Sequence, residues 1–122
     1  MPSISLTNPE NITQLVLGTS SEAKLSGNID LSKFNSLETF DCSNNGLTDI
    51  VGFENHSALT DFNAESNQLG VLAINAILAA FVAAGASGGT LVLNGTGNAA
   101  PTGQGATDVT ALQSAGWAVT TN

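Results

Sequence analysis

Cysteine and histidine can act together as a nucleophile and a base, and each occurs once in this chain, as Cys42 and His56. They would act as a pair only if the fold placed them side by side. Cys42 occupies a small, inward-facing apolar position in a strand pattern, which is typical of a buried structural thiol. His56 falls in the connecting segment FENHSAL and is predicted to lie at the surface. We therefore expect no catalytic residue, and a protein that is not an enzyme.

Carboxylates are the other candidate for chemistry, because they collect on one face of the predicted strands. Side chains that alternate outward on neighbouring parallel strands stack side by side. The predicted patch consists of Asp41, Asp61, Asn63 and Glu65, edged by Thr39, Ser43, Lys24, Thr90 and Asn94. It could bind a cation, a sugar or a basic protein surface, or it could be a solvated acidic face. No motif predicts a metal or a cofactor, and the glycine-rich run GASGG precedes a strand, which is the wrong order for cradling phosphate.

A repeat of 22 residues (59 minus 37) places these side chains in register. LETFDCSNNGLTDI, from Leu37, and LTDFNAESNQLGVL, from Leu59, superimpose position by position, so that Ile50 aligns with Leu72. Both follow L-x-x-L-x-L-x-x-N-x-L, in which L-x-L is a short strand and the asparagine turns inward to bond unpaired backbone groups. Asn45 and Asn67 are therefore interpreted as structural turn residues.

Further units are expected on both sides, because two repeats cannot bury a stable core alone. The candidate strands are Ala23 to Leu25 and Leu15 to Leu17 upstream, the second of which could also be half of a capping hairpin, and Leu91 with Leu93 and Trp117 with Val119 downstream. The sequence thus predicts an α/β fold, a short leucine-rich-repeat-like solenoid whose parallel concave sheet has about five or six short strands.

Two helices are expected on the convex side. Ile74, Ile77, Leu78 and Phe81 recur at helical spacing and Gly85 follows at a capping position, which predicts a helix at about 73–84. A second helix is predicted at about 108–114, with Thr107 as its N-cap and Gly116 just past its end. The stretch 94–105, rich in Gly, Thr and Asn, is interpreted as a loop.

The first 14 residues do not fit the repeat, so we divide the chain into an N-terminal arm or cap at 1–14 and a single solenoid domain at 15–122. Ile4 and Leu6 could belong to a folded cap, or to an extended arm that attaches to a neighbouring subunit. Leu6, Phe34 and Phe53 are candidates for exposed apolar contacts.

The charge of the chain excludes several classes of partner. Two lysines stand against ten acidic residues, giving a net charge of −8. Such a surface cannot neutralise a run of phosphates, and it is repelled by anionic membranes. The N-terminus lacks the basic and apolar regions of a signal peptide. We expect neither nucleic-acid nor membrane binding, and synthesis in a host cytoplasm without export by that route.

The residues also resemble a known family. The two repeats are similar to bacterial leucine-rich repeats, and the stretch from INAILAAF to GWAVTTN resembles a terminal module of bacteriophage virion proteins and bacterial surface proteins. In that module a helix, a T-L-x-L strand, an N-x-A-P-T-G-Q-G loop and a G-W-x-V-T strand close the solenoid. The resemblance covers about residues 25–122. It implies a solenoid domain without cofactor or catalytic residues.

Two functions remain open on these grounds. The first is a structural protein on the outer surface of a bacteriophage virion, a capsid decoration or cementing subunit bound to the major capsid protein or another virion protein, with homo-oligomers on the particle compatible with it. The second is a recognition module whose concave acidic face, with Asp41, Asp61, Asn63 and Glu65, binds a host receptor, a glycan or a protein.

Overall fold

The computed structural model describes residues 9–18 and 24–122. Its elements are a 3-10 turn at Pro9–Asn11, the strands β1 (Gln14–Val16), β2 (Ser26–Asp30), β3 (Thr39–Asp41), β4 (Gly46–Val51), β5 (Asp61–Asn63), β6 (Thr90–Val92) and β7 (Ala118–Thr120), and the helices α1 (Val71–Ala84) and α2 (Gln104–Ser114). The chain is mixed α/β, and no helix among these residues is long and apolar enough to cross a membrane.

A sheet of five parallel strands forms one layer, in the order β1-β3-β5-β6-β7. The central residue of each strand pairs with the central residue of the next, and its side chain points to one side of the sheet. These residues are Leu15, Phe40, Phe62, Leu91 and Val119, of which the first four are buried and the last is half-buried. The period of two therefore puts one face of the sheet on the core.

The second layer contains β2 and β4, which form a two-stranded parallel sheet, followed by α1 and α2. β4 contacts α1, α1 contacts α2, and α2 contacts β7. Each of the first four strands of the five-stranded sheet is followed in sequence by one element of this second layer. The sequence analysis missed β2 and β4, because residues 26–30 and 46–51 carry glycine and polar residues between their few buried side chains.

Aromatic rings fill the space between the layers. Phe62 of β5 lies 5.5 Å from Phe40, 5.3 Å from Phe53 and 5.1 Å from Phe81 of α1, measured between ring centroids. Phe81 in turn lies 5.1 Å from Trp117, whose indole N–H donates to the carbonyl of Ala86. This chain of tilted and edge-on contacts joins both layers along the length of the sheet.

Both predicted helices are present, and both begin earlier than predicted. α1 begins two residues early and ends at Ala84, as predicted; Gly85 follows as its C-terminal cap in the left-handed conformation (φ 77°) that favours glycine. α2 begins at Gln104 after Gly103, so Thr107 is not its N-cap but lies inside the first turn. The start was missed because the first turn, residues 104–107, contains no large apolar side chain. Its buried residue is Gly105, and the amide of Gln104 donates to the carboxylate of Asp108 in the next turn.

Of the two strands predicted upstream of the repeats, the one at Leu15 to Leu17 is present one residue earlier, and the one at Ala23 to Leu25 is wrong at its described residues. Lys24 and Leu25 are not in a strand; Leu25 takes the position of Leu47 and Leu69, the leucines that follow the ladder of asparagines. The strand beside β3 is Gln14–Val16, which overlaps the predicted Leu15 to Leu17 and begins one residue before it. Ala23, Ile4 and Leu6 lie outside the described residues.

Several expectations about exposure were wrong. Phe34 and Phe53 are 3% and 1% exposed, because the connecting segments fold under the sheet and turn these rings inward. Leu72 and Ile50 are not equivalent: Ile50 is buried, whereas Leu72 is 83% exposed. The reason is that α1 begins at Val71, and the helical turn rotates Leu72 outward while Ile74 enters the core.

Candidate functional site

The candidate site is the face of the five-stranded sheet that points away from the core, here called the open face. Its side chains form two rows across the sheet, set by the strand register. The first row is Gln14, Thr39, Asp61, Thr90 and Ala118, and the second is Val16, Asp41, Asn63, Val92 and Thr120. All ten are exposed or half-buried, so this is the one side of the described sheet that a partner could reach.

The carboxylates on this face do not form one compact cluster. Asp61 stands between Thr39 and Thr90 in the first row, whereas Asp41 stands beside Asn63 in the second. Glu65 follows two residues after Asn63, where the strand ends. Within the described residues, no group of three His, Cys, Asp or Glu side chains is close enough to hold a metal ion.

Asp41 and Asn63 are occupied with local backbone structure. The carboxylate of Asp41 accepts hydrogen bonds from the Ser43 N–H at 2.9 Å and from the Ser43 hydroxyl at 2.7 Å. At the equivalent place one repeat later, the Asn63 side chain accepts the Glu65 N–H at 3.0 Å. Both side chains close the turn that ends a strand, which is a typical role of Asp and Asn.

Asp61 and Glu65 are less occupied. Asp61 is exposed and Glu65 half-buried, and neither carboxylate has a hydrogen-bond partner within residues 9–18 and 24–122. Lys24, expected at the edge of the patch, donates instead to the main-chain carbonyl of Asn44 at 2.9 Å. The acidic character of the open face therefore comes mainly from Asp61 and Glu65.

Buried asparagines run beneath the strand ends as a ladder. Asn67 is fully buried; its carbonyl oxygen accepts the Leu47 N–H at 3.0 Å, and its amide donates to the carbonyls of Cys42 at 3.0 Å and Ala64 at 3.1 Å. Asn45 repeats this arrangement one rung earlier with the Leu25 N–H and the carbonyls of Leu17 and Cys42. Each asparagine thus bonds its own strand end and that of the preceding rung.

A third rung, Asn98, was missed by the sequence analysis. Its oxygen accepts the Leu69 N–H at 3.1 Å, and its amide donates to the carbonyls of Ala64 and Leu93. It stands five residues after the strand leucine, not three, because Gly95 and Gly97 enlarge the turn with φ values of 99° and 98°. A side chain at Gly97 would collide with the Asn67 carbonyl, so this position requires glycine. The two glycines before Asn98 are the feature of the sequence that could have indicated a longer turn.

The residues first considered for chemistry are both buried. Cys42 is 0% exposed; burial, and then the charge of Asp41, raise the pKa of its thiol, which holds it in the unreactive protonated form. His56 is 6% exposed, not a surface residue as predicted, since it occupies the place of Phe34 one repeat later. Its Nε2 lies 2.9 Å from the Leu31 carbonyl, whereas its Nδ1 is buried without a described partner.

One further carboxylate is perturbed outside the open face. The Ser32 N–H donates to Asp30 at 2.9 Å, and this bond lowers the pKa of the carboxyl group. Asp30 ends β2 in the second layer, so the turn motif of Asp41 and Asn63 is repeated there.

The open face thus presents rows of Thr, Asp, Asn and Val side chains, and the buried asparagines at the strand ends form their hydrogen bonds with the backbone. Comparisons of the chain with models of protein families, with curated proteins and with solved structures found no significant match.

Proposed function

We propose that this chain is a leucine-rich-repeat-type solenoid and a non-enzymatic structural protein of a bacteriophage virion, a decoration subunit bound to the major capsid protein on the outer shell. The observation that supports the non-enzymatic role is the commitment of the candidate catalytic side chains to the core. Cys42 is sealed in it and His56 replaces a phenylalanine of the neighbouring unit. The virion assignment is supported by the resemblance of residues 74–122 to terminal modules of virion proteins.

The solenoid proposal is supported by the agreement between the sequence repeat and the hydrogen bonds. Asn45 and Asn67 are 22 residues apart. The side-chain oxygen of Asn45 accepts a hydrogen bond from the Leu25 N–H and that of Asn67 from the Leu47 N–H, and these two donors are also 22 residues apart. Parallel strands in register and second-layer elements between them are also typical of this architecture. A stack of this kind is rigid, which suits a subunit that braces a shell.

Mass spectrometry of purified particles of the phage that encodes the chain tests the virion role. We expect the chain in a fixed proportion to the major capsid protein, and extra density on the outer shell by electron microscopy. Particles that lack the chain provide the control, since they should lack that density alone. Absence from the particles, or a few copies per particle, would refute a decorating role.

A recognition module is the second candidate, supported by the carboxylates of Asp61 and Glu65 on the open face, which have no hydrogen-bond partner among the described residues. The double variant D61K/E65K should abolish binding of the purified chain to host cells or host-surface glycans. A matched control is E10K/E54K, which makes the same change in charge at two exposed residues outside the sheet. Equal binding by the two variants would exclude the open face as the binding surface.

A further inference from the structure

The two ends of the five-stranded sheet carry edge strands that no described residue covers. β1 and β7 each have one neighbour, at opposite edges of the sheet. A strand with an unpaired edge presents N–H and C=O groups to any strand that can align with it. Lysine, proline and bulges, which often protect such edges, are absent from Gln14–Val16 and Ala118–Thr120. Each strand is three residues long, which limits the number of backbone hydrogen bonds that a single contact can add.

The hydrogen bonds identify which backbone groups point outward. In β7 the Ala118 N–H donates to the Gly89 carbonyl and the Thr120 carbonyl accepts from the Leu93 N–H, both on the β6 side. Since successive residues of a strand bond to opposite sides, the N–H and C=O of Val119 face away from the sheet.

The β1 edge has the complementary arrangement. The Thr13 carbonyl accepts from the Thr39 N–H and the Leu17 N–H donates to the Asp41 carbonyl, both on the β3 side. The backbone groups of Gln14 and Val16 therefore face outward. Because all five strands are parallel, placing a second copy further along the sheet brings its β1 beside β7 in the same direction, as in every existing pair.

Five of the seven described, partly buried apolar residues that pack against the core lie at the same two ends. The exposed Val51, Val71, Leu72 and Val82 lie instead on β4 and α1. Ile12, Leu17 and Leu25 flank β1 and β2, and Val109 and Val119 lie in α2 and β7, the last elements of the two layers. The fully buried core residues lie between them. Association of the two ends would continue the core as well as the sheet.

The distribution of charge permits this contact between two acidic molecules. Asp108 is the one charged side chain from residue 66 to residue 122, and it is buried and bonded to Gln104. The β7 end therefore adds no exposed carboxylate side chain that would repel Glu10 and Asp30, which lie near β1 and β2 of another copy.

We infer that two copies of this chain associate head to tail, with β7 of one copy adding as a parallel strand to β1 of the next. The contact is heterologous, so further copies can add until the assembly either closes into a ring or continues as an open chain. It is a property of the isolated chain and does not depend on the proposed virion role. A virion protein that is monomeric, or an associating chain that is absent from virions, would separate the two ideas.

Sedimentation velocity over a range from about 10 µM to about 1 mM is the test, because small interfaces dissociate in that range. We expect the mass of the wild-type chain to rise with concentration through successive multiples. V119P and V16P each replace an outward N–H by a proline ring, and each should weaken association at least about tenfold. V119T and V16T keep the N–H and the branched shape, so they should associate like the wild type.

Mixing the two proline variants gives the most specific result. V16P retains an intact β7 edge and V119P an intact β1 edge, so the mixture should form one-to-one dimers and nothing larger. Circular dichroism confirms that each variant is folded; if V119P is not, T121P blocks the same edge one outward residue later. A wild-type chain that is monomeric throughout, proline variants that associate normally, or a mixture of folded variants without dimers would each overturn the inference.

Discussion

Replacing Asn67 by alanine tests the ladder that holds the strand ends together. N67A removes three hydrogen bonds of 3.0 to 3.1 Å from a fully buried side chain. Two of the bonded groups keep another partner, because the Cys42 carbonyl also accepts from Asn45 and the Ala64 carbonyl from Asn98. The Leu47 N–H has no described alternative and would be left buried and unpaired.

The expected loss follows from these partners. An orphaned buried donor costs about 1 to 3 kcal/mol, and each of the two bonds lost at a carbonyl that keeps a partner contributes about 0.5 to 1 kcal/mol. We therefore expect N67A to lower the free energy of unfolding by about 3 kcal/mol. That is a large fraction of the roughly 5 to 15 kcal/mol that is typical of a domain.

Urea unfolding, followed by the fluorescence of buried Trp117 and by far-ultraviolet circular dichroism, measures the effect. N63A is the matched control: it removes one bond, from Glu65 to a half-buried asparagine, and should cost less than about 1 kcal/mol. The reasoning fails if N67A loses less than about 1 kcal/mol, or if the two variants lose the same amount while their urea slopes agree.

Three further substitutions test the packing around the ladder. H56F should raise the free energy of unfolding by about 1 kcal/mol, because a phenylalanine, Phe34, already fills the equivalent place and the buried Nδ1, which has no described partner, disappears. The Leu31 carbonyl would still accept a hydrogen bond from the Phe34 N–H. A lower free energy of unfolding for H56F in urea would contradict this prediction. C42A should remove the pH dependence of the free energy of unfolding that Cys42 causes. The raised pKa keeps the folded thiol neutral, while the unfolded thiol ionises above about pH 8.5. The wild-type free energy of unfolding therefore has its full value below that pH and falls by up to about 1.4 kcal/mol for each pH unit above it. Parallel unfolding curves for wild type and C42A between pH 8 and 10 would be the contrary result. G89A should lower the free energy of unfolding by about 1 to 3 kcal/mol and shift the fluorescence emission of Trp117, because the new methyl group would meet the Thr60 carbonyl and lie 2.5 Å from the indole ring. G70A is the control, since a methyl group at Gly70 has no atom within 4 Å. Equal melting temperatures for G89A and G70A would contradict the prediction.

The parallel pairing of β3 with β5 could be predicted from the sequence because the same pattern of apolar residues occurs in both repeats. Phe40 and Phe62, which pair across β3 and β5, are also the aligned residues of the two repeats. The alternation of Leu91 and Val119 then extended the same sheet correctly. Parallel pairing, side-chain direction and the position of α1 all follow from periods of two and 3.6 residues.

Where the pattern failed, a local event changed the spacing without changing the architecture. Two glycines with positive φ lengthen the turn before Asn98, so a search at fixed spacing passes over it. Leu72 is an apolar residue at a position where the repeat predicts a core side chain, yet the start of α1 turns it outward. His56 shows the reverse: it is a polar residue at a core position, because the repeat directs the side chain at this position inward even when it is polar.

The alternation of the strands also makes the two proposed surfaces, the open face and the sheet edge, independent of each other. Residues whose side chains lie on the open face, such as Ala118 and Thr120, direct their backbone groups to the β6 neighbour, whereas Val119 directs its backbone outward and its side chain to the core. A proline at Val119 therefore blocks the edge without altering the face, and lysines at Asp61 and Glu65 alter the face without altering the edge. If both changes impair one activity, the partner must span the face and the edge together; if each impairs a different activity, the sheet serves two partners at once.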